Sequence, residues 1–208
     1  LARIDRQERR LSVEGSIQGG VRYQSNANAA PEDDILDING RRVRLNRDAR
    51  AQADGNVFGL ANVHLRYDLR NQGDLIEADI LTYNAWYFDL GRLDTNLIEG
   101  TLGPSFDLGR FGLDGVRIGP YGLAGAVGLG GALYSTTYGG GLRVRARLHR
   151  RLLWDSRHEI RAVNFDNSTT YPTVRDQTGV DYRNWIRLTG YLSARTSLAA
   201  VGETRHVD

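Results

Sequence analysis

Apolar and polar residues alternate strictly along this chain, over stretches longer than an ordinary strand. In residues 11–24 the odd positions are apolar or glycine, from Leu11 to Tyr23, and the even positions are polar or glycine. A period of two predicts a β-strand with one apolar face, and a run of about 13 residues is more than twice the typical strand of ~5–6. A ninth run begins near Ser197. The seven runs between the first and the ninth occupy 57–69, 75–88, 95–108, 116–129, 137–149, 152–165 and 180–195.

The connections between these runs predict an antiparallel meander. The links near 70–74, 109–115, 149–152 and 195–197 are mostly short, those near 89–94 and 130–136 are intermediate, and those at 25–54 and 166–179 are long and polar. Short turns at one end and longer loops at the other are typical of an outer-membrane barrel. The sequence therefore predicts an all-β fold, an antiparallel transmembrane β-barrel meander of about eight or nine strands.

The predicted barrel occupies residues 11–208, and residues 1–10 read as a helical tail or linker from an upstream region. We expect these strands to be the N-terminal portion of a larger barrel, because a ninth run starts and the last residues, "ETRHVD", lack the terminal aromatic residue of a finished barrel strand. An open sheet edge in lipid would leave backbone groups unsatisfied, at several kcal/mol each.

A soluble β-sandwich or lipocalin-like barrel is the alternative, because it also alternates, with its apolar face inward. Run length favours the membrane barrel, since a tilted membrane strand needs ~9–11 residues. The apolar face also carries aromatic side chains near run ends, as interfacial girdles do. These interfacial candidates are Tyr23, Tyr67, Trp86, Phe88, Phe106, Tyr138 and Trp154.

The opposite face is charged, and we expect it to line a water-filled lumen. The candidate lumen residues are Glu14, Arg22, Arg66, Glu77, Asp79, Glu99, Arg143, Arg145, Arg147, Arg183 and Arg187. The row at 143, 145 and 147 has two possible roles, which the sequence leaves open. Its arginines either set the lumen electrostatics, favouring anionic solutes or an acidic cargo strand, or pair with acids of the wall and rigidify the barrel.

Composition narrows the chemistry. The chain has no cysteine, which excludes disulfides, thiolate metal sites and cysteine nucleophiles. No apolar run approaches the ~18 residues of a membrane helix, and mean hydropathy is −0.44. All 27 basic residues are arginine, yet the net charge is only +2 and acids are mixed among them. A nucleic-acid partner is therefore not expected.

Few residues indicate catalysis or metal binding. Ser156 and His158 share the apolar face, where lipid hydrolases can place such a pair; a bulge or a register error returning both to water is the other reading. The acidic loop with Glu32, Asp33, Asp34 and Asp37 does not match a calcium-loop spacing, and the glycine runs are not phosphate loops. We expect no metal, no cofactor and no enzymatic activity.

Several phrases resemble a known family over about residues 11–165. "GSIQGGVRYQSNANAAP" resembles the first barrel hairpin of proteins that carry periplasmic tetratricopeptide repeats ahead of an outer-membrane barrel. "ANVHLRYDLRNQGD" and "FDLGRLDTNLIEGTLGPSFDLGRFGLDGVRIGPYGLAGAVGLG" resemble the surface lipoprotein assembly modifier family. The resemblance implies a bacterial outer-membrane location, an upstream periplasmic repeat domain, contact with membrane lipid, and transport or export of lipoprotein or other protein cargo to the cell surface. It supplies no catalytic motif. A passive porin or polysaccharide-export channel and a lipid hydrolase remain the alternatives.

Overall fold

A computed structural model describes residues 10–33, 35–38, 41–46, 49–71 and 73–208. The described part is all-β, with three short 3-10 turns. Its strands are β1 (Leu11–Gln24), β2 (Ile35–Ile38), β3 (Arg41–Arg44), β4 (Asp54–Asp68), β5 (Leu75–Tyr87), β6 (Thr95–Asp107), β7 (Val116–Leu129), β8 (Ala132–His149), β9 (Leu152–Phe165), β10 (Gly179–Tyr191) and β11 (Ser197–Val207). No helix among the described residues is long and apolar enough to cross a bilayer.

Nine of these strands form one antiparallel sheet, in the order β1-β4-β5-β6-β7-β8-β9-β10-β11. Every neighbouring pair is consecutive along the chain except β1 and β4, between which β2 and β3 form a small separate hairpin. The predicted antiparallel meander of eight or nine long strands is therefore confirmed. The sheet does not close, since β1 and β11 each pair on one side only.

The strands are staggered, and the stagger accumulates in one direction. A row of paired residues that starts at Val13, the third residue of β1, ends at His206, the tenth residue of β11. The row thus drifts by seven residues over eight strand pairings. With a rise of 3.3 Å per residue and a strand spacing of 4.8 Å, this drift tilts the strands by about 30°. Barrel walls need a stagger of this kind.

One end of the sheet, the short-turn end, carries the connections 69–74, 108–115, 150–151 and 192–196; the other, the long-loop end, carries 25–53, 88–94, 130–131 and 166–178. The prediction of an intermediate link at 130–136 is wrong. The link is a two-residue turn in which Gly130 and Gly131 both have positive φ, 59° and 81°, as a tight hairpin requires. The strand β8 consequently begins at Ala132, five residues before the predicted run.

The two faces of the sheet follow the predicted alternation. Val13, Leu65 and Ala78 lie side by side on one face, and Glu14, His64 and Asp79 lie side by side on the other. We call these the apolar face and the charged face. The two faces are hardest to recognise in the glycine-rich run 116–129. Large side chains of this run, including Tyr121 and Leu123, lie on the charged face.

Burial is inverted relative to a water-soluble protein. Among the described residues, three apolar ones are buried, Ala85, Leu123 and Val174, against ten polar or charged ones. Large side chains of the apolar face are open instead, with Ile17 89% and Leu102 62% exposed. A water-soluble sheet buries its apolar face, so this sheet packs its polar side chains together and leaves its apolar ones uncovered.

The β6–β7 ladder is interrupted in mid-sheet. Pairing runs to Leu102–Gly122 and resumes at Phe106–Ile118. Pro104 and Pro120 lie inside this gap, and neither has an N–H to donate. The two strands also approach closely there, since a Cβ on Gly103 would collide with the Pro120 carbonyl oxygen and lie 2.6 Å from the Tyr121 Cα.

Two sequence expectations fall on residues that the structure does not describe. The helical tail expected at 1–10 lies outside the described residues except for Arg10, which forms a bend. Within the acidic loop, Asp34 also lies outside them.

Candidate functional site: the charged face

The register places all eleven candidate lumen residues on the charged face. They come from six strands: β1, β4, β5, β6, β8 and β10. The structure distributes them among separate ion-pair clusters rather than one row, and three arginines stand apart from these clusters.

Arg143 forms the central cluster, which we call the first bridge. Its guanidinium donates to Asp79 at 3.0 Å and to Glu77 at 3.5 Å. Arg143 belongs to β8 and the two acids to β5, three strands away in the sheet. That separation is about 14 Å on a flat sheet. The contact therefore requires the sheet to curve, with the charged face concave.

Where the β6–β7 ladder is interrupted, the Arg143 side chain can reach across both strands to Glu77. Gly103 and Gly119 lie on the charged face between Arg143 and Glu77, and neither has a side chain to obstruct the guanidinium. Tyr121 of β7 supports it from one side, with the Arg143 Cζ 5.3 Å from the centre of the ring. Arg143 is consequently 7% exposed and Glu77 6%.

Further charges complete the first bridge. Arg145 donates to Glu77 at 3.1 Å, the His64 Nδ1 lies 2.6 Å from the Asp79 Oδ1, and the Thr101 hydroxyl donates to Asp79 at 3.2 Å. Each carboxylate therefore has more than one partner, which offsets the cost of withdrawing its charge from water.

Arg161 forms a second bridge of the same design, and sequence analysis missed it. This arginine of β9 donates to Glu99 of β6 at 2.6 and 3.1 Å and to Glu159 at 2.7 Å. The Tyr121 hydroxyl donates to Glu159 at 2.6 Å, and its ring covers Gly141, where a Cβ would lie 2.6 Å from the Tyr121 Cζ. The irregular alternation of 152–165 hid Arg161, although Glu159, Arg161 and Val163 keep the two-residue spacing.

Two further clusters lie toward the edges of the sheet. Asp181 is 1% exposed and accepts from Arg183 at 2.8 Å and from Arg205 at 3.0 Å. On β1, Glu14 pairs with Arg66. Arg205 was also missed, because the run beginning near Ser197 was recognised without assigning its faces.

Three of the candidate arginines have no acidic partner. Arg22 donates to the Tyr83 hydroxyl at 3.3 Å and stacks over Phe58. Arg147 and Arg187 are exposed. Among the described residues, no carboxylate oxygen lies within 4.0 Å of the guanidinium of any of the three. The row at 143, 145 and 147 is therefore split: Arg143 and Arg145 pair with acids of β5, and Arg147 does not.

Buried aspartates anchor the chain at both ends of the sheet. At the long-loop end, Asp54 accepts the N–H groups of Gly55, Asp89 and Leu90 at 2.6–3.1 Å. At the short-turn end, Asp74 accepts the Asp107 N–H at 3.0 Å and the Arg110 guanidinium at 2.9 Å.

The pKa of Asp74 reflects this anchoring. Burial alone would raise the pKa, but the Asp107 N–H and the Arg110 charge more than offset it, and the pKa of the Asp74 carboxyl lies below its ordinary value.

All seven interfacial candidates lie on the apolar side, in strands or just beyond one. Tyr67, Phe106 and Trp154 are near the short-turn end, and Tyr23, Trp86 and Phe88 near the long-loop end. Tyr138 lies inside β8 rather than at its end, because that strand begins at Ala132.

Ser156 and His158 do share the apolar face, opposite Val144 and Leu142 respectively. Ser156 is 2% exposed, and the His158 Nδ1 lies 2.9 Å from the Asn184 Oδ1. Within the described residues, no hydrogen bond joins the serine to the histidine. A serine nucleophile needs such a bond to its base.

No cluster of histidine and acidic residues that could hold a metal ion occurs within the described ranges. The charged face instead offers ion pairs across its middle, and toward its ends arginines without a carboxylate partner among the described residues.

No family model matches this chain, and neither a curated protein nor a solved structure matches it.

Proposed function

We propose that this sheet is part of the wall of an outer-membrane β-barrel that carries material across the membrane along its charged face. The inverted burial carries the proposal. Lipid is the solvent in which an uncovered apolar face is stable, whereas a contiguous apolar surface of this extent is a liability in water.

Three further features agree with a membrane wall. The sheet strands from β4 to β10 have 13–18 residues, enough at a tilt of about 30° to cross the hydrocarbon core. The accumulated stagger is that of a barrel wall. Aromatic side chains flank the apolar face at both ends, as in outer-membrane girdles.

Export of lipoprotein or other protein cargo to the cell surface is the transport role that we propose, and the sequence resemblance supports it. A periplasmic repeat domain upstream belongs to the same proposal. We propose no catalysis, because Ser156 is buried and His158 bonds to Asn184 instead.

The absence of cysteine makes the membrane assignment directly testable. Single cysteines at Leu97 and Ile98, neighbours on opposite faces of β6, would be labelled in intact outer membranes without competition from another cysteine of this sequence. We expect Ile98→Cys to react with a lipid-soluble maleimide and resist a charged one, and Leu97→Cys to do the opposite. The unmodified chain should also change mobility between boiled and unboiled gel samples, as folded barrels do. The reversed labelling pattern, with recovery in a soluble fraction, would refute the proposal.

Transport requires a second readout. A surface-display assay of candidate lipoproteins, with and without this protein, tests export, and planar-bilayer conductance without cargo tests the passive porin. Steady conductance with unchanged surface display would favour the porin and remove the export role.

A further inference from the structure

We propose that a cleft at the short-turn end of the charged face binds a phosphate-bearing solute. The cleft has a volume of about 450 Å³, within the range of small-molecule sites. It lies beside the first bridge, and its floor is formed by β7 to β10.

Arg147 and Arg187 supply the charge. They stand on opposite sides of β9: Arg147 is paired in register with Leu153, and Arg187 with Asp155. Both residues line the cleft, and both lack a carboxylate within 4.0 Å of the guanidinium among the described residues. Guanidinium groups match the geometry of phosphate oxygens and bind them with two parallel hydrogen bonds.

The other two arginines of the cleft are already neutralised. Arg117 pairs with Asp107 at 3.3 Å, and Arg145 donates to Glu77 at 3.1 Å and lies 4.0 Å from Asp155. The unpaired positive charge is therefore confined to Arg147 and Arg187. An anion of one or two charges would complete the site.

Polar groups beside these arginines define the solute further. Thr189 and Tyr191 line the cleft, and each carries a hydroxyl that can donate to a phosphate oxygen. Asp155, between the arginines, has a buried Oδ1 without a hydrogen-bond partner. A buried acceptor of this kind calls for a donor. A phosphate group that carries a hydroxylated body, as in a sugar phosphate, supplies both.

This inference goes beyond the proposed function, because phosphate binding is measurable whether or not the sheet lines a passage. Binding without membrane labelling would leave the site and remove the barrel wall. Labelling without binding would do the reverse.

The test is calorimetric titration of the full chain, folded in detergent, with inorganic phosphate and with glucose 1-phosphate. We expect both probes to bind and the sugar phosphate to bind more tightly. Arg147→Gln and Arg187→Gln should each weaken both probes about tenfold, the effect of one charge-assisted hydrogen bond. Arg22→Gln is the matched control, an unpaired arginine on the same face outside the cleft, and it should change neither affinity. Asp155→Asn should reduce the preference for the sugar phosphate and not weaken inorganic phosphate.

Absence of saturable binding of either probe would overturn the site, as would equal losses in Arg22→Gln and Arg147→Gln. Equal affinity for the two probes would overturn the Asp155 contact. If a glutamine variant loses its heat-modifiable gel band, Arg147→Lys replaces it. Arg147→Lys keeps the positive charge but cannot donate two parallel hydrogen bonds to a phosphate. We therefore expect a loss of affinity smaller than that of Arg147→Gln.

Discussion

Arg143 and Arg147 lie on the same strand and the same face, four residues apart, yet their surroundings are opposite. Arg143 is buried and bound to two carboxylates of β5, while Arg147 is exposed and bound to none. The difference arises on neighbouring strands. Gly103 and Gly119 open a path from Arg143 to Glu77, whereas no carboxylate oxygen lies within 4.0 Å of the Arg147 guanidinium among the described residues. In the middle of the charged face, ion pairs therefore hold neighbouring strands together. Nearer the short-turn end, the charge of Arg147 is not neutralised by a carboxylate in the part of the chain that the structure describes.

Replacing Arg143 should break this comparison most severely. Arg143→Gln removes a guanidinium partner from both Glu77 and Asp79, and removing one member of a buried pair costs about 3 kcal/mol or more. We expect a large fall in the urea midpoint for loss of the heat-modifiable band. Arg147→Gln, the matched control, should shift the unfolding free energy by no more than about 0.5 kcal/mol. Similar shifts for both would contradict the distinction between the two arginines.

Closing the glycine path should have the next largest effect. In Gly103→Ala the new Cβ would collide with the Pro120 carbonyl oxygen and the Tyr121 Cα, which are backbone atoms and not the end of a flexible side chain. Overpacking of this kind costs about 1–3 kcal/mol. Gly122→Ala on the neighbouring strand is the control, because nothing lies within 4 Å of its Cβ position. Denaturant titration of the two variants measures the difference, and equal stabilities would show that the close approach is not constraining.

The smallest expected effect is pH-dependent and concerns Asp74, whose carboxylate is paired at the short-turn end, where the Arg147 charge is not. Its pKa is depressed on folding, so its contribution is complete above the ordinary aspartate value of about 3.9 and is lost as pH falls through the lower folded value. Asp74→Asn should therefore raise amide exchange in the turns 69–74 and 108–115 at pH 7. The gap from the unmodified chain should close in strongly acidic buffer. A gap that persists unchanged in acid would contradict the role of the carboxylate charge.

The strand pattern was predictable from sequence because it depends on local alternation. Long runs such as 11–24 and 152–165 match β1 and β9 at both ends. The link at 130–136 was predicted too long, since the alternation around Tyr134 is broken by a register shift between Val127 and Gly128 in the β7–β8 ladder. Local pattern does not reveal such a shift.

The partners on the charged face were less predictable, for a physical reason. Alternation specifies that Arg143 and Glu77 share a face, but their contact depends on curvature and on two glycines of intervening strands. The sequence analysis gave Tyr121 no role on the charged face, because its contacts with Glu159 and Arg143 depend on neighbouring strands. Its function in the structure follows from Gly141 on β8, which leaves space for the ring.

The paired prolines have a mechanical consequence. Where Pro104 and Pro120 interrupt the β6–β7 ladder, fewer backbone hydrogen bonds resist a force that pulls the two strands apart. Arg143 belongs to β8 and its two acids belong to β5, so these ion pairs cross the interrupted β6–β7 ladder. They resist a separating force where backbone hydrogen bonds are missing. Arg161 on β9 is bound to Glu99 on β6 and crosses the same ladder. The sheet is therefore held together by side chains at the place where its backbone hydrogen bonds are fewest.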